Sequence, residues 1–163
     1  GTYEEFLEVY DPEANDATEM LCAGLINRDP EARAKISNDM LDRGADATVV
    51  DYGQNTLTLL LSHDDLGDDD AALVQRLVEA GADVNYRESH GDTPIKLAVK
   101  IGAESDEQRR PIYEALFGKD VDLDEPSNVR NPKNKIGEWL RMCVDHQPEG
   151  LKVLDEFLTA RGF

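Results

Sequence analysis

The chain has 163 residues, 40% of them hydrophobic and 32% charged, which is the composition of a folded protein with one core or a short array of repeats. Its 35 acidic and 17 basic residues give a net charge of −18, which disfavours binding to nucleic acid or to anionic lipid. The sequence has neither an apolar run of about 18 residues nor the basic and then apolar start of a signal peptide. We therefore expect a cytoplasmic protein that does not contact a membrane.

The acidic charge is concentrated in the first half of the chain. Residues 1–82 hold 19 acidic and 5 basic residues, a net of −14, whereas residues 83–163 hold 16 and 12, a net of −4. Such a field would steer a basic partner protein toward the N-terminal half. The alternative is that the acidic surface only keeps the protein soluble.

Amphipathic segments predict a short helix over Tyr3 to Tyr10 and then four helical pairs. In the second helix of each pair, apolar residues recur at i, i+1, i+4 and i+5 and form one apolar face. Pro111 falls inside one of these patterns and is expected to delay the start of that helix. The pairs, in chain order, are DATEMLCAGLIN with PEARAKISNDMLDR, NTLTLLLSH with DDAALVQRLVEA, TPIKLAVKI with DEQRRPIYEALF, and KIGEWLRMCVDH with EGLKVLDEFLTA.

A glycine turn follows the second helix of each pair at a regular spacing. Gly44-Ala45-Asp46, Gly81-Ala82-Asp83 and Gly118-Lys119-Asp120 lie 37 residues apart, and a weaker copy surrounds Gly162. Glycine in this position adopts the left-handed conformation that ends a helix. A fixed period of this length predicts a repeat protein.

Polar residues mark where the first helix of a pair begins. Thr93 is predicted as a helix N-cap and Pro94 as the first helical residue, where the missing N–H of proline costs nothing. One repeat earlier, either Asn55 or Thr56 could serve as the cap. The predicted unit is therefore helix, turn, helix and extended connector.

The stretch GADVNYRESHGDTPIKLAV resembles the ankyrin repeat, and the resemblance extends with less fidelity from about Asp16 to Phe163. It implies an all-α fold, an ankyrin-like solenoid of helix-turn-helix repeats joined by extended hairpin-like connectors. We expect a single domain over 1–163, with an N-terminal helix or cap at 1–15 and repeats near 16–52, 53–90, 91–133 and 134–163.

Three features depart from the ankyrin pattern. The family period is about 33 residues, and the four surplus residues fall between the two helices, where a longer loop costs little. Lys96 stands where the family usually has a histidine that ties the turn together, so we expect a weaker network there. The long connector at 124–135 is either a disordered insert or a loop that grasps a partner.

The sequence contains no motif of a known active site. It lacks a phosphate-binding glycine loop, a zinc-binding His-Glu-x-x-His and a CxxC pair, and the acidic run from Asp64 to Asp70 does not fit a calcium loop. We therefore predict that the protein is not an enzyme and has no cofactor and no metal. Cys22 and Cys143 are expected to stay reduced, because they fall in the first and fourth repeats.

The resemblance to ankyrin repeats implies a binding scaffold that meets its partner with the connector tips and the first helices. The residues this points to are Val50, Tyr52 and Gln54 on the first connector, Arg87, Ser89 and Asp92 on the second, and Ser62, His63, Lys100 and Ile101 on the first helices. Tyr52 is the strongest candidate, because an aromatic residue on a rigid turn offers contact area at low entropic cost.

We therefore predict a monomeric, non-enzymatic protein–protein interaction module that binds a basic partner protein. One alternative is an acidic inhibitor or immunity-type protein that neutralises a basic effector, a hypothesis that depends on charge alone. The other is a structural or regulatory ankyrin segment of a larger protein.

Overall fold

A computed structural model describes residues 1–11, 16–130 and 132–163, and these residues form nine α-helices and two short β-strands. The predicted all-α class is confirmed. None of the helices in the described ranges has the length and apolarity needed to cross a bilayer. The elements are α1 (Tyr3–Val9), α2 (Ala17–Leu25), α3 (Pro30–Asp42), β1 (Val50–Asp51), β2 (Gln54–Asn55), α4 (Thr56–Leu61), α5 (Asp70–Glu79), α6 (Pro94–Lys100), α7 (Asp106–Gly118), α8 (Ile136–His146) and α9 (Lys152–Ala160).

The helices pack in two adjoining rows. In one row, α5 lies between α3 and α7, and α9 follows α7; in the other, α4 lies between α2 and α6. The apolar faces of both rows meet in a continuous core that includes Leu57, Leu77, Ile95 and Tyr113, all of them fully buried. Each helical pair therefore buries its apolar face partly against the pair that follows.

The predicted start signals are used as expected. Thr93 is the N-cap of α6 and Pro94 its first residue, while Asn55 is the N-cap of α4. The Asn55 side chain accepts a hydrogen bond from the backbone N–H of Thr58, and the Thr58 hydroxyl in turn accepts one from the N–H of Asn55. This reciprocal capping begins a helix of only six residues.

The turns that end α3 and α5 are also as predicted, but the third copy is displaced by two residues. Gly44 and Gly81 have φ of 90° and 104°, whereas α7 continues through Gly118 and Asp120 takes the left-handed position, with φ of 51°. The residue after each turn donates its N–H to a carbonyl five residues earlier, which identifies the turns as equivalent. The spacing of the turns is therefore 37 and then 39 residues, so the predicted match at Gly118 is wrong.

An aspartate after each turn confirms this alignment. Asp46, Asp83 and Asp122 each accept a hydrogen bond on a side-chain oxygen from the N–H two residues later, at 2.8–2.9 Å. The residue between donor and acceptor is buried in every copy: Ala47, Val84 and Leu123. The sequence Asp-Val-Asp at 120–122 is thus the counterpart of Gly-Ala-Asp at 44–46.

Pro111 lies inside α7, so the prediction that it delays the start of this helix is wrong. The helix begins at Asp106 because the Ser105 side chain accepts the N–H of Gln108 and because the carboxylate of Asp106 is buried and fully bonded. These interactions fix the first turn, although proline removes one helical hydrogen bond further along.

The carboxylate of Asp106 joins α7 to α9. One of its oxygens accepts hydrogen bonds from the hydroxyl of Tyr113 at 2.6 Å and from the guanidinium of Arg109 at 3.3 Å. The other accepts the backbone N–H groups of Val153 and Leu154, each at 2.8 Å. Burial, together with the bond to Asp106, raises the pKa of Tyr113. The phenol therefore stays protonated and keeps its bond to Asp106.

Asp70, the first residue of α5, has the same role in the preceding helical pair. Asp70 is buried and accepts two hydrogen bonds from the buried guanidinium of Arg33 on α3, at 3.1 and 2.6 Å. It also accepts the N–H of Gly67 at 2.7 Å. The acidic run at 64–70 therefore contributes a structural ion pair, and the N-cap of α5 is Asp69.

Replacing Asp120 should change stability through the backbone alone. We expect Asp120→Gly to raise the free energy of unfolding by about 0.5–1 kcal/mol, because glycine adopts the left-handed conformation without a Cβ penalty. Urea unfolding of the native chain and the variant measures this. The matched control is Lys119→Gly at φ of −103°, which should destabilise; a loss of stability in Asp120→Gly would contradict the alignment of the turns.

Replacing Asp106 should have a much larger effect. We expect Asp106→Asn to lower the free energy of unfolding by about 3 kcal/mol, because the amide group meets two backbone N–H donors and leaves Arg109 without its counter-charge. Glu107→Gln, at the exposed neighbouring position, is the control and should cause a far smaller change. Equal effects of the two substitutions in urea unfolding would disprove the role given to Asp106.

Candidate partner-binding surface

The connector between the first two helical pairs is a true β-hairpin. Val50 pairs with Asn55 and Asp51 with Gln54, so the loop consists of Tyr52 and Gly53. Both loop residues have positive φ, of 49° and 74°. This is the signature of a type I′ turn, which fits the twist of a hairpin but usually requires Asn or Gly at both positions.

Tyr52 is therefore an unusual residue for this place. Its side chain is 94% exposed, and Val50 on the adjoining strand is 53% exposed. The side chain of Tyr52 gains almost no packing energy, and a bulky residue at positive φ is uncommon in proteins. The first connector, which we call the first finger (residues 50–55), thus presents an apolar and aromatic tip to solvent at some cost in backbone energy.

The second connector, the second finger (residues 87–92), lies beside the first. Ser89 donates its backbone N–H to the carbonyl of Gly53 at 3.0 Å, and Gln54 donates its side-chain amide to Glu88 at 3.1 Å. Burial by itself raises the pKa of Glu88, but its bonds to the Asp92 N–H, to His90 and to Gln54 outweigh burial and lower the pKa. Glu88 is therefore ionised at neutral pH and joins the two fingers.

The long connector at 124–135 is paired at its two ends. Ser127 donates its N–H to the carbonyl of Asn134 at 2.8 Å, and Ile136 donates to the carbonyl of Glu125 at 2.9 Å. Asn131, in the middle of this predicted insert or grasping loop, lies outside the described residues, as do residues 12–15 of the predicted N-terminal cap. The described part of the connector lies beside the second finger, where the Pro126 carbonyl accepts a hydrogen bond from Arg87.

The predicted partner-binding residues fall into three groups. Val50, Tyr52, Ser62, Ser89 and Lys100 are exposed. Gln54, His63, Arg87 and Asp92 are half-buried and already bonded: Gln54 to Glu88, His63 to the Leu25 carbonyl, Arg87 to the Gly91 and Pro126 carbonyls, and Asp92 to Lys96 and Lys100. Ile101 is 3% exposed.

Ile101 is therefore wrongly predicted as a contact residue. The prediction assumed that the helix continues through Ile101, but α6 ends at Lys100 and Ile101 is its C-cap. The chain turns inward at this point, and the guanidinium of Arg109 donates to the carbonyl of Ile101 at 2.6 Å. The side chain of Ile101 is consequently enclosed and cannot meet a partner.

Lys96 makes contacts that the ankyrin pattern did not lead us to expect. Its ammonium group donates to the carbonyl of Ser127, lies 3.4 Å from the carboxylate of Asp92, and sits 4.9 Å from the ring centre of Trp139. It therefore links the second finger to the long connector. Within the turn itself, Thr93 makes no side-chain capping bond, which agrees with the weaker network expected there.

The prediction from the sequence did not include several residues that lie on the surface. Ile26 at the end of α2 is 56% exposed, Val129 and Met142 are exposed, and Trp139 on α8 is half-buried beside the two lysines of α6. One signal in the sequence was that Trp139, like four of the predicted contact residues, belongs to the first helix of a pair. Its position beside α6 depends on packing between helical pairs and could not be derived from spacing.

Metal ligands and thiols are the candidate reactive groups among the described residues. No group of three His, Cys, Asp or Glu side chains in this part of the chain is placed to hold a metal ion. Cys22 and Cys143 are free, and burial is the main reason that the pKa of each thiol is raised, with Asp51 and Glu19 adding to the effect at Cys22. Both thiols are therefore protonated and weakly nucleophilic at neutral pH.

Comparison with known proteins adds information on the fold alone. No protein-family model matches the sequence, and no curated protein resembles it significantly. The crystal structure of a functionally unknown protein from Leptotrichia buccalis C-1013-b is similar, with a TM-score of 0.75 over 100% of this chain and 91% of that chain and 22% sequence identity. The arrangement of helices and connectors therefore occurs in another protein with a very different sequence.

The conformation of Tyr52 predicts a stabilising substitution. Tyr52→Asn produces Asn-Gly, the preferred sequence of a type I′ turn, and should raise the free energy of unfolding by about 0.5–1 kcal/mol. Val50→Asn, on the adjoining strand, is the control and should not stabilise. If thermal unfolding shows that Tyr52→Asn is destabilised, Tyr52 makes a contribution to folding that its exposure does not reveal.

Proposed function

We propose that this chain is a non-enzymatic protein-binding module, a divergent ankyrin-like solenoid that recognises a basic partner protein with its fingers and first helices. Two rows of helices and the repeated left-handed turns with their bonded aspartates support the assignment to an ankyrin-like repeat. The connectors then lie on one side of the array, as expected of a scaffold that carries its binding residues on connectors.

Tyr52 is the observation that carries this proposal. It combines a conformation that costs backbone energy with a side chain that is 94% exposed and packs against nothing. Strain that is not repaid by packing is typical of functional positions. An exposed tyrosine with exposed Val50 next to it has the chemistry of a binding hot spot, since both lose water when a partner covers them.

Charge around the first finger supports a basic partner. Asp51 lies next to Tyr52, and Glu19 is exposed on α2; both carboxylates act on the thiol of Cys22. These residues belong to the half of the chain with a net charge of −14. A basic surface approaching this half would be attracted over about 10 Å at moderate ionic strength and would bind faster at low salt.

The negative charge of the chain supports a second, more specific function. A protein with a net charge of −18 could act as an inhibitor by covering the substrate-binding surface of a basic effector such as a nuclease. Both functions would use the same binding surface, but they differ in what binding does to the partner. Loss of the effector's activity on stoichiometric binding would distinguish inhibition from simple attachment.

The proposal predicts that one substitution removes binding without harming the fold. The native chain and Tyr52→Asn are used to capture proteins from an extract of the source cells, and captured partners are identified by mass spectrometry. We expect a basic protein that binds the native chain and binds Tyr52→Asn at least about tenfold more weakly, the usual effect of removing a hot-spot tyrosine.

Two controls make this result specific. Glu114→Gln changes an exposed residue on α7, away from the fingers, and should bind like the native chain. Association with the purified partner should slow as salt is raised, because steering by exposed charges is screened. If a partner binds Tyr52→Asn and the native chain equally, the first finger is not the binding surface.

A further inference from the structure

A depression with the opposite charge to the rest of the molecule lies between the second finger and the long connector. Its volume is about 750 Å³. Among its lining residues are four formal positive charges and two negative charges, in a chain with a net charge of −18. The charged residues are Arg87, Lys96, Lys100 and Arg130, facing Glu88 and Asp92.

The two carboxylates do not balance the positive groups. Asp92 is shared between Lys96, at 3.4 Å, and Lys100, at 3.0 Å, so that one negative charge faces two ammonium groups. Glu88 is occupied by the backbone N–H of Asp92 and by the Gln54 and His90 side chains. An excess of positive charge therefore remains in the depression.

The positive charges of Arg87 and Arg130 are not neutralised by the two carboxylates of the depression. Arg87 donates to the carbonyls of Gly91 and Pro126, at 2.9 and 2.6 Å, and Arg130 is exposed at the rim. Backbone carbonyls satisfy the N–H groups of Arg87 but carry no net charge. The side chain of Lys96 is 9% exposed, and a buried ammonium group is most stable when a full counter-charge lies nearby.

Trp139 forms part of the same environment. The ammonium groups of Lys96 and Lys100 lie 4.9 and 5.8 Å from the centre of its ring. The ring holds both lysines near the depression through a cation–π interaction. Positive charge thus comes from the second finger and α6, which follow each other in sequence, and from the long connector, which is distant from both.

We propose that this depression binds acidic side chains, aspartate or glutamate, presented by the partner protein. Carboxylates fit because lysine and arginine bind them with charge-assisted hydrogen bonds. A polyanion such as nucleic acid would extend beyond the depression and meet the field of the −18 chain, whereas one or two carboxylates on a mainly basic partner would not. This inference rests on the proposed function.

The consequence is that charge sets the orientation of the partner. A basic surface would face residues 1–82 and an acidic group would face the depression, so that reversing the partner would bring like charges together at both places. Such an arrangement contributes more to specificity than to affinity.

The experiment uses the single tryptophan of the chain as a reporter. The native protein is titrated at low salt with an acetylated and amidated hexapeptide that holds one Asp-Glu pair among neutral residues, while the fluorescence of Trp139 is recorded. We expect a saturable change with a dissociation constant of about 1 mM, in keeping with a few charge-assisted bonds. The matching Asn-Gln hexapeptide and inorganic phosphate are titrated in parallel.

The variant for this test is Lys100→Gln with Arg130→Gln, since both side chains are exposed and neither bonds a backbone carbonyl. Binding of the acidic peptide to this double variant should weaken at least about fivefold. Lys100→Arg with native Arg130 keeps both positive charges and should bind more tightly than the double variant. Lys152→Gln on α9 is the control and should bind like the native chain. Circular dichroism and urea unfolding check that each variant is folded.

Several results would overturn the inference. These are a titration with no saturable change up to about 10 mM peptide, equal binding of the Asn-Gln peptide, or an equal loss in Lys152→Gln. Saturation by phosphate without binding of the acidic peptide would assign the depression to a phosphate group instead. In each case the carboxylate assignment fails.

The captured partner separates this inference from the proposed function. If the partner is weakened by Tyr52→Asn but not by Lys100→Gln with Arg130→Gln, the binding function stands and the role of the depression fails. If the acidic peptide binds at the depression but no partner distinguishes Tyr52→Asn from the native chain, the proposed function fails.

Discussion

The buried carboxylates of Asp70 and Asp106 determine how neighbouring helical pairs fit together. A single pair exposes one apolar face, and packing against the next pair covers it but does not by itself set the relative position of the helices. Asp70 fixes α5 against α3 through Arg33, and Asp106 fixes α7 against α9 through two backbone N–H groups. Because each interaction is buried and directional, it selects one register among the many that apolar contact alone would allow.

The register between neighbouring helical pairs sets the positions of the connectors. The tips of the two fingers are joined by backbone and side-chain hydrogen bonds, and Arg87 and Lys96 extend the connection to the long connector. Tyr52 can therefore be held at positive φ without local packing, because the structure around it over-determines the turn. The same rigid arrangement gathers cations beside Trp139 on a chain that is acidic elsewhere.

The sequence indicates part of the proposed surface and not the rest. Val50, Tyr52 and Ser89 are exposed at connector tips, where the repeat pattern predicts them. Ile101 is buried because α6 ends one residue earlier than its apolar pattern suggests. The depression beside Trp139 could not be predicted, since only the tertiary structure brings Arg130 and Trp139 to the lysines of α6.

The amino-acid sequence by itself determined the helical pairs, their start signals and the glycine turns at Gly44 and Gly81, because periodicity, capping and left-handed turns are local properties. The tertiary structure decided the turn at Asp120, the continuous helix through Pro111 and the pairing of Arg33 with Asp70. Asp120 can replace glycine because the packing of α7 imposes the turn, and an ion pair between residues 37 positions apart leaves no local signal.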